Sequence, residues 1–501
     1  MRAEIALLIL FGLAGPVAGQ GEAPASAIPW LSDSLRAPEA AWTEPEATPL
    51  VDREISTTPL GGTRRDSVGL LPASVTGLPR DAFAGSDPDR VIATIADLPP
   101  DALPAVQDFV LMLLLAELDP PAAAGDGDAL FFARVDALLR FGALEQAQAL
   151  LERAGATDAD AFRRWFDVSL LTGYDARACD AMNANPGVAP TLPARIFCLS
   201  RTGDWAAAWL SLDTGHALGA VSEQDYALLA HFLDPEQAEL LPPPPPPEPM
   251  TPLAFRLLDG IGETPPTQSL PLAFAVADLR TTTGWKAQIE AAERLTRVQA
   301  LDPNRLLALY TESRPAASGG VWDRAAAVQA LDQALLAGDV DAVAAALPDA
   351  VERMGAARLL VPLAALFGER VATLPLEGAA AEIALRIGLL SPAYGAVAAP
   401  APSAPPADRL AAAIARGEAP TDPPADALAR AVAEGFTGNA PEDLARLASG
   451  GRLGEALLQV ARSLAPGAET DPQHVAGNLA FLRSVGLEDV ARRIALQMLL
   501  L

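Results

Sequence analysis

Apolar residues along this chain recur in steps of three and four. Phe131, Val135, Leu138 and Phe141 fall on one side of a helix, as do Val321, Ala325, Val328, Leu331 and Leu335. Leu453, Leu457, Val460 and Leu464 repeat the spacing near the C-terminus. Such steps draw a stripe down a 3.6-residue helix that must be buried against a neighbour. After residue 88 no alternating, strand-type pattern persists. The longest apolar run beyond the N-terminus, Phe109–Ala116, is closed off by Asp108 and Glu117. It predicts one buried helix, too short to span a bilayer.

Starts and stops of helices can be read from the same residues. Asp-Pro pairs precede periodic segments at Asp87-Pro88, Asp234-Pro235, Asp302-Pro303, Asp422-Pro423 and Asp471-Pro472. Aspartate caps the first free N–H groups, and proline at the first helical position lacks an N–H that would go unpaired anyway. At Gly142, Gly203, Gly338, Gly451 and Gly486 a helix ends and an Ala-rich one begins within two residues. Glycine accepts the left-handed conformation that stops a helix, so each marks a tight helical hairpin. Gly451 and Gly486 lie about 35 residues apart, near the roughly 34-residue period of tetratricopeptide repeats. In these Gly-x-hydrophobic turns and in the small residues of the second helices, residues 128–218 and 441–501 resemble the tetratricopeptide-like class of α-solenoids. The full Trp…Leu-Gly…Tyr pattern is absent. The resemblance implies an all-α fold of stacked hairpins with an extended concave face, and no particular activity.

Composition agrees with helix packed on helix. Half of the 501 residues are apolar, aromatics make up only 5%, and Ala and Leu are the strongest apolar helix formers. Low-complexity segments suggest an order along the chain: a signal peptide at 1–19, an extended or disordered Pro-rich segment at 20–87, and helical blocks at 88–241, 252–395 and 408–501. A polyproline linker at 242–251 and an Ala/Pro linker at 396–407 separate the blocks, the first reading as a stiff spacer. The fold class expected is thus all-α helical-hairpin repeats in two or three blocks after an extended N-terminal segment.

The N-terminus bears on the compartment. Arg2, the apolar stretch Ile5–Leu13, Gly15-Pro16 and the small residues Val17-Ala18-Gly19 have the layout of a secretory signal peptide. No cysteine follows for a lipid anchor, so a periplasmic location is expected. In that oxidising setting the two cysteines, Cys179 and Cys198, are expected to form a disulfide across the turn at Asn185-Pro186-Gly187. A net charge of -27 repels phosphate backbones and anionic lipid, which argues against nucleic acid as a partner.

Chemistry is sparse. His216, His231 and His474 form no metal-ligand spacing, and two cysteines cannot build a thiolate cage, so no metal is expected. No nucleophile elbow or phosphate-binding Gly-rich loop occurs, and no cofactor or catalytic residue is assigned. Glu290 and Glu293, with Arg294 and Arg297, read as a solvated charged face. Five residues stand as possible interaction points: Trp30, in the apolar patch Ala27–Leu31, and Ser318, Gly319, Gly320 and Trp322. The two glycines precede a helix start, where free N–H groups favour an anion. A tight turn with Trp322 packed on a neighbour explains them more simply. The expectation is a non-catalytic periplasmic scaffold or adaptor that binds another cell-envelope protein. A cell-wall glycan- or peptide-processing enzyme and a periplasmic chaperone are the alternatives.

Overall fold

The computed structural model describes residues 64–501 apart from 126, 156–157, 235, 237–243, 399–403 and 419–424. The expected leader at 1–19 and Trp30 lie outside the described residues. Those described are all-helical, with no strand; an isolated parallel bridge joins Leu71 to Ala116.

The local signals act as their chemistry requires. The Asp87 carboxylate accepts from the Arg90 N–H, Asp302 from Asn304 and Asp471 from Gln473, each just ahead of its proline. Asp234-Pro235 and Asp422-Pro423 fall partly or wholly outside the described residues. Gly142 and Gly486 stop their helices at φ +74° and +86°, where a side chain would be strained. Phe131, Val135, Leu138 and Phe141 are fully buried, and the apolar run becomes the Pro104–Leu115 helix.

Cys179 and Cys198 are joined in a disulfide that ties the Asp175–Ala184 helix to Leu192–Arg201 across 19 residues of sequence. Both are fully buried. Closing a loop of this size stabilises by about 3 kcal/mol on the chain-entropy model. The double Cys179→Ala/Cys198→Ala variant is therefore expected to unfold at lower urea by about that free energy. An unchanged midpoint would show that the link constrains nothing.

Two expectations need correction. The N-terminal segment is not extended throughout. From Arg65 it turns through a short 3-10 helix and the Ala73–Thr76 helix, and it buries Leu71, Leu78, Ala82 and Phe83. The few large apolar residues of 64–87 are concentrated where they cover the Pro104–Leu115 and Ala129–Arg140 helices, which overall composition conceals. Arg134 holds the junction. Its buried guanidinium donates to the carbonyls of Leu114, Asp66, Val68 and Ala116 at 2.8–3.2 Å. Asp66 in turn accepts the Phe131 N–H at 2.7 Å, capping that helix. Burial pushes the Asp66 carboxyl up and the Arg134 guanidinium down to about 10.

The blocks are also divided differently. One hydrophobic core runs from Leu71 to Leu258 and takes in Leu410 to Met498; a second spans Ala275 to Leu390. The prolines do not hold the flanking helices apart: Pro244 is buried, and the Pro252–Gly260 helix packs on Ala159–Thr172 and Glu223–Leu233. Leu257 and Leu258 would otherwise present an uncovered stripe to water. The C-terminal helices return to the N-terminal ones. The Gly85 N–H donates to the Gly451 carbonyl and the Gly454 N–H to Ala82, both at 2.8 Å. A Cβ at Gly454 would run into the Phe83 ring, so only glycine allows this approach. Glu455, fully buried, takes Arg452 from its own helix start and Arg90 from across the seam at 2.9 Å. The Ala105 N–H reaches the Gln497 side chain at 2.7 Å, 392 residues away in sequence.

Candidate functional site

Three segments converge on an open polar cleft beside the small apolar cluster that holds Leu171, Phe255 and Ala277. The Ala159–Thr172 helix ends there at Gly173, φ +85°, and its last residue Thr172 lines one side. The Pro252–Gly260 helix presents Arg256 and Asp259. Arg280, with the turn residues Thr281 and Thr282, closes the far side. The cleft has a volume of about 500 Å³.

Its charges are shared unevenly. Asp259 Oδ2 accepts from Arg256 Nη1 and Arg280 Nη1, both at 2.8 Å, and its Oδ1 takes the Thr264 hydroxyl at 3.0 Å. Burial works to raise the Asp259 carboxyl, but the Arg280 hydrogen bond and the two positive charges hold it below its ordinary value. Arg280 Nε donates to the Ala277 carbonyl at 2.7 Å. Arg256 Nε is buried and makes no hydrogen bond, pairing with Asp175 Oδ2 at 3.9 Å. Asp175 is itself buried beside Arg201 Nε at 3.0 Å. Arg201, Arg256 and Arg280 thus balance Asp175, Asp259 and the nearby Asp278 in one charged network. Neither the outer Nη2 groups of Arg256 and Arg280 nor the hydroxyls of Thr281 and Thr282 bond to protein among the described residues. Tyr174, next to Gly173, is 61% exposed.

The turn at 315–324 is occupied by its own side chains. Gly319 and Gly320 have φ +93° and +57°, and the Gly319 N–H donates to Asp323 Oδ1 at 2.9 Å. Asp323 Oδ2 takes Arg353 at 3.0 Å. Ser318, Gly319 and Gly320 are exposed, while Trp322 packs on Trp285 with ring centroids 4.9 Å apart. The structure therefore brings Trp322 into contact with a neighbour and leaves the three small residues at the surface.

Below that turn the solvated reading of Glu293 is overturned. Glu293 is buried, with both oxygens on Arg324 at 2.7 and 2.6 Å and the Tyr310 hydroxyl at 2.7 Å. Burial and then the Glu293 charge push the Tyr310 phenol well above its ordinary range. Arg294 and Arg297 donate to the carbonyls of Thr267 and Ala357; Glu290 remains a surface acid facing Lys286. Glu293 lies on the inner side of its helix, and its distant partner Arg324 is not visible in local spacing.

Asp108 is a further carboxyl of note. It reaches solvent, yet the protein around it pushes it up to about 7 against the pull of Arg493. It lines neither the arginine cleft nor the small cavity of about 10 Å³ between Phe83, Ile95 and Arg134. Among the described residues no group of three His, Cys, Asp or Glu is placed to hold a metal ion, and no helix is long and apolar enough to cross a membrane. No family model, curated protein or solved structure matches the chain. Sequence reasoning missed Arg256, Asp259 and Arg280 because they come from separate segments that only the fold unites; the Thr281–Thr283 run was the one local hint.

Proposed function

We propose that this chain is an exported, non-catalytic adaptor of the periplasm whose helical hairpins, in the manner of an α-solenoid, dock another cell-envelope protein. One observation carries the reading. The Trp205–Ala217 helix turns apolar groups outward: Trp205 is exposed, and Leu210 is 70% exposed, with Leu218 just beyond the helix at 78%. They stand on different sides of the helix and along its length, so each is a separate apolar contact that a partner could cover. The buried disulfide and the leader-like first residues support an oxidising compartment.

Crosslinking in cells followed by purification tests the adaptor. The parent chain is expected to capture an envelope protein, and Leu210→Asp to lose most of it while melting at the same temperature, because residue 210 faces water in the free chain. Equal capture by parent and variant, or none by either, overturns this reading.

A further inference from the structure

The proline run Pro242–Pro247 has no part in the docking described so far. Proline fixes its own φ at about −65° and pushes the residue before it into extended backbone. Every residue of such a run but the last is therefore held in a polyproline II helix of about three residues per turn. Burial follows that period over the described part. Pro244 is buried and Pro247 half-buried, and Met250 packs against both the first core and the cluster of Leu171 and Phe255. Pro245 and Pro246 between them are exposed, as are Glu248 and Pro249. One edge of the segment is thus anchored on the fold while the other two face water. Among the described residues the carbonyls of Pro245 and Pro246 accept no hydrogen bond, and proline has no N–H to give. The exposed edges offer flat rings and free acceptors, with no donor.

We infer that Pro245-Pro246 is a docking element for a partner protein whose groove is lined by Trp and Tyr, with a basic residue beside it for Glu248. Aromatic faces cover the exposed rings, and a Trp N–H or Tyr O–H donates to the free carbonyls, so one residue type answers both needs. An aliphatic groove would cover the rings and leave the carbonyls unpaired. The segment is already extended and footed on the core at every third residue, so docking has little more chain to order. A net charge of -27 adds a general pull toward a groove that carries positive charge. This deepens the adaptor reading and rests on it, by naming the kind of groove the adaptor meets.

The test is calorimetric titration of a purified WW domain, a module that reads polyproline II through an aromatic-lined groove. It is titrated with the full chain, with the Pro245→Ala/Pro246→Ala variant, and with acetyl-Pro-Pro-Pro-Pro-Pro-Pro-Glu-Pro-amide. Saturable binding of the chain is expected, at least as tight as that of the peptide, because the fold already holds the segment straight. The variant is expected to bind about tenfold more weakly, having lost two ring contacts. It is expected to melt at the parent temperature, since both side chains face water. No saturable binding of the chain, or equal binding by chain and variant, overturns the inference. Crosslinking in cells separates it from the adaptor reading, and there the proline variant is expected to lose most of the captured protein. Capture that Leu210→Asp abolishes and the proline variant keeps sinks this inference alone. Binding of the WW domain without any capture in cells sinks the adaptor reading alone.

Discussion

Replacing Arg134 with leucine is expected to lower the unfolding free energy by at least about 4 kcal/mol, the largest single effect foreseen in this molecule. The guanidinium serves four backbone carbonyls, those of Leu114, Asp66, Val68 and Ala116, in a place closed to water. Each buried acceptor left without a donor costs about 1–3 kcal/mol. Leucine fills part of the volume and satisfies none of them. Lysine has three donors on a point charge rather than five in a planar fork, so Arg134→Lys is expected to recover only part of the loss. Urea denaturation followed by circular dichroism measures both. If leucine costs less than about 1 kcal/mol, the four contacts are not what joins the 64–71 segment to the helices beneath it.

Arg324→Met is expected to cost about 3 kcal/mol or more in the second core. The substitution keeps the length of the side chain and removes the charge that Glu293 was buried to meet. Breaking a buried pair from one side is costly because the surviving ion keeps its desolvation without its partner. Tyr310 can still donate to Glu293, which sets the cost toward the lower end. Changing both sides, as in Glu293→Leu/Arg324→Met, is expected to return part of the loss, since no charge is then left inside. A double variant less stable than Arg324→Met would contradict the account.

What the sequence disclosed and what it withheld divide along distance. Asp87, Asp302 and Asp471 cap within three residues of themselves, and Gly142 and Gly486 need only their own backbone angles, so these elements were readable from neighbours. The stripe Phe131–Phe141 was readable because burial of one helix face has a fixed period. Cys179 and Cys198 were readable because a single short turn separates them. Glu293 was misread: its i+4 surroundings are charged, and its true partner stands 31 residues on. Segment 64–87 was misread because four well-placed apolar residues carry its packing in a stretch otherwise rich in Pro and Gly. The polyproline was taken as a boundary on composition, while Leu257 and Leu258 beyond it complete the core before it. The cleft at Arg256 and Arg280 was invisible, since nothing local joins residues 172, 256 and 280.

The meeting of Gly85 with Gly451, and of Ala105 with Gln497, has a bearing on how the molecule is made. Ribosomes deliver the amino end first, yet the shelter for Phe83 and Val106 arrives with the last fifty residues. A linear repeat array can begin ordering anywhere and spread; here the earliest helices must wait, greasy side bare, for the latest ones. Contacts that close over so long a stretch of chain are of the kind that slow folding.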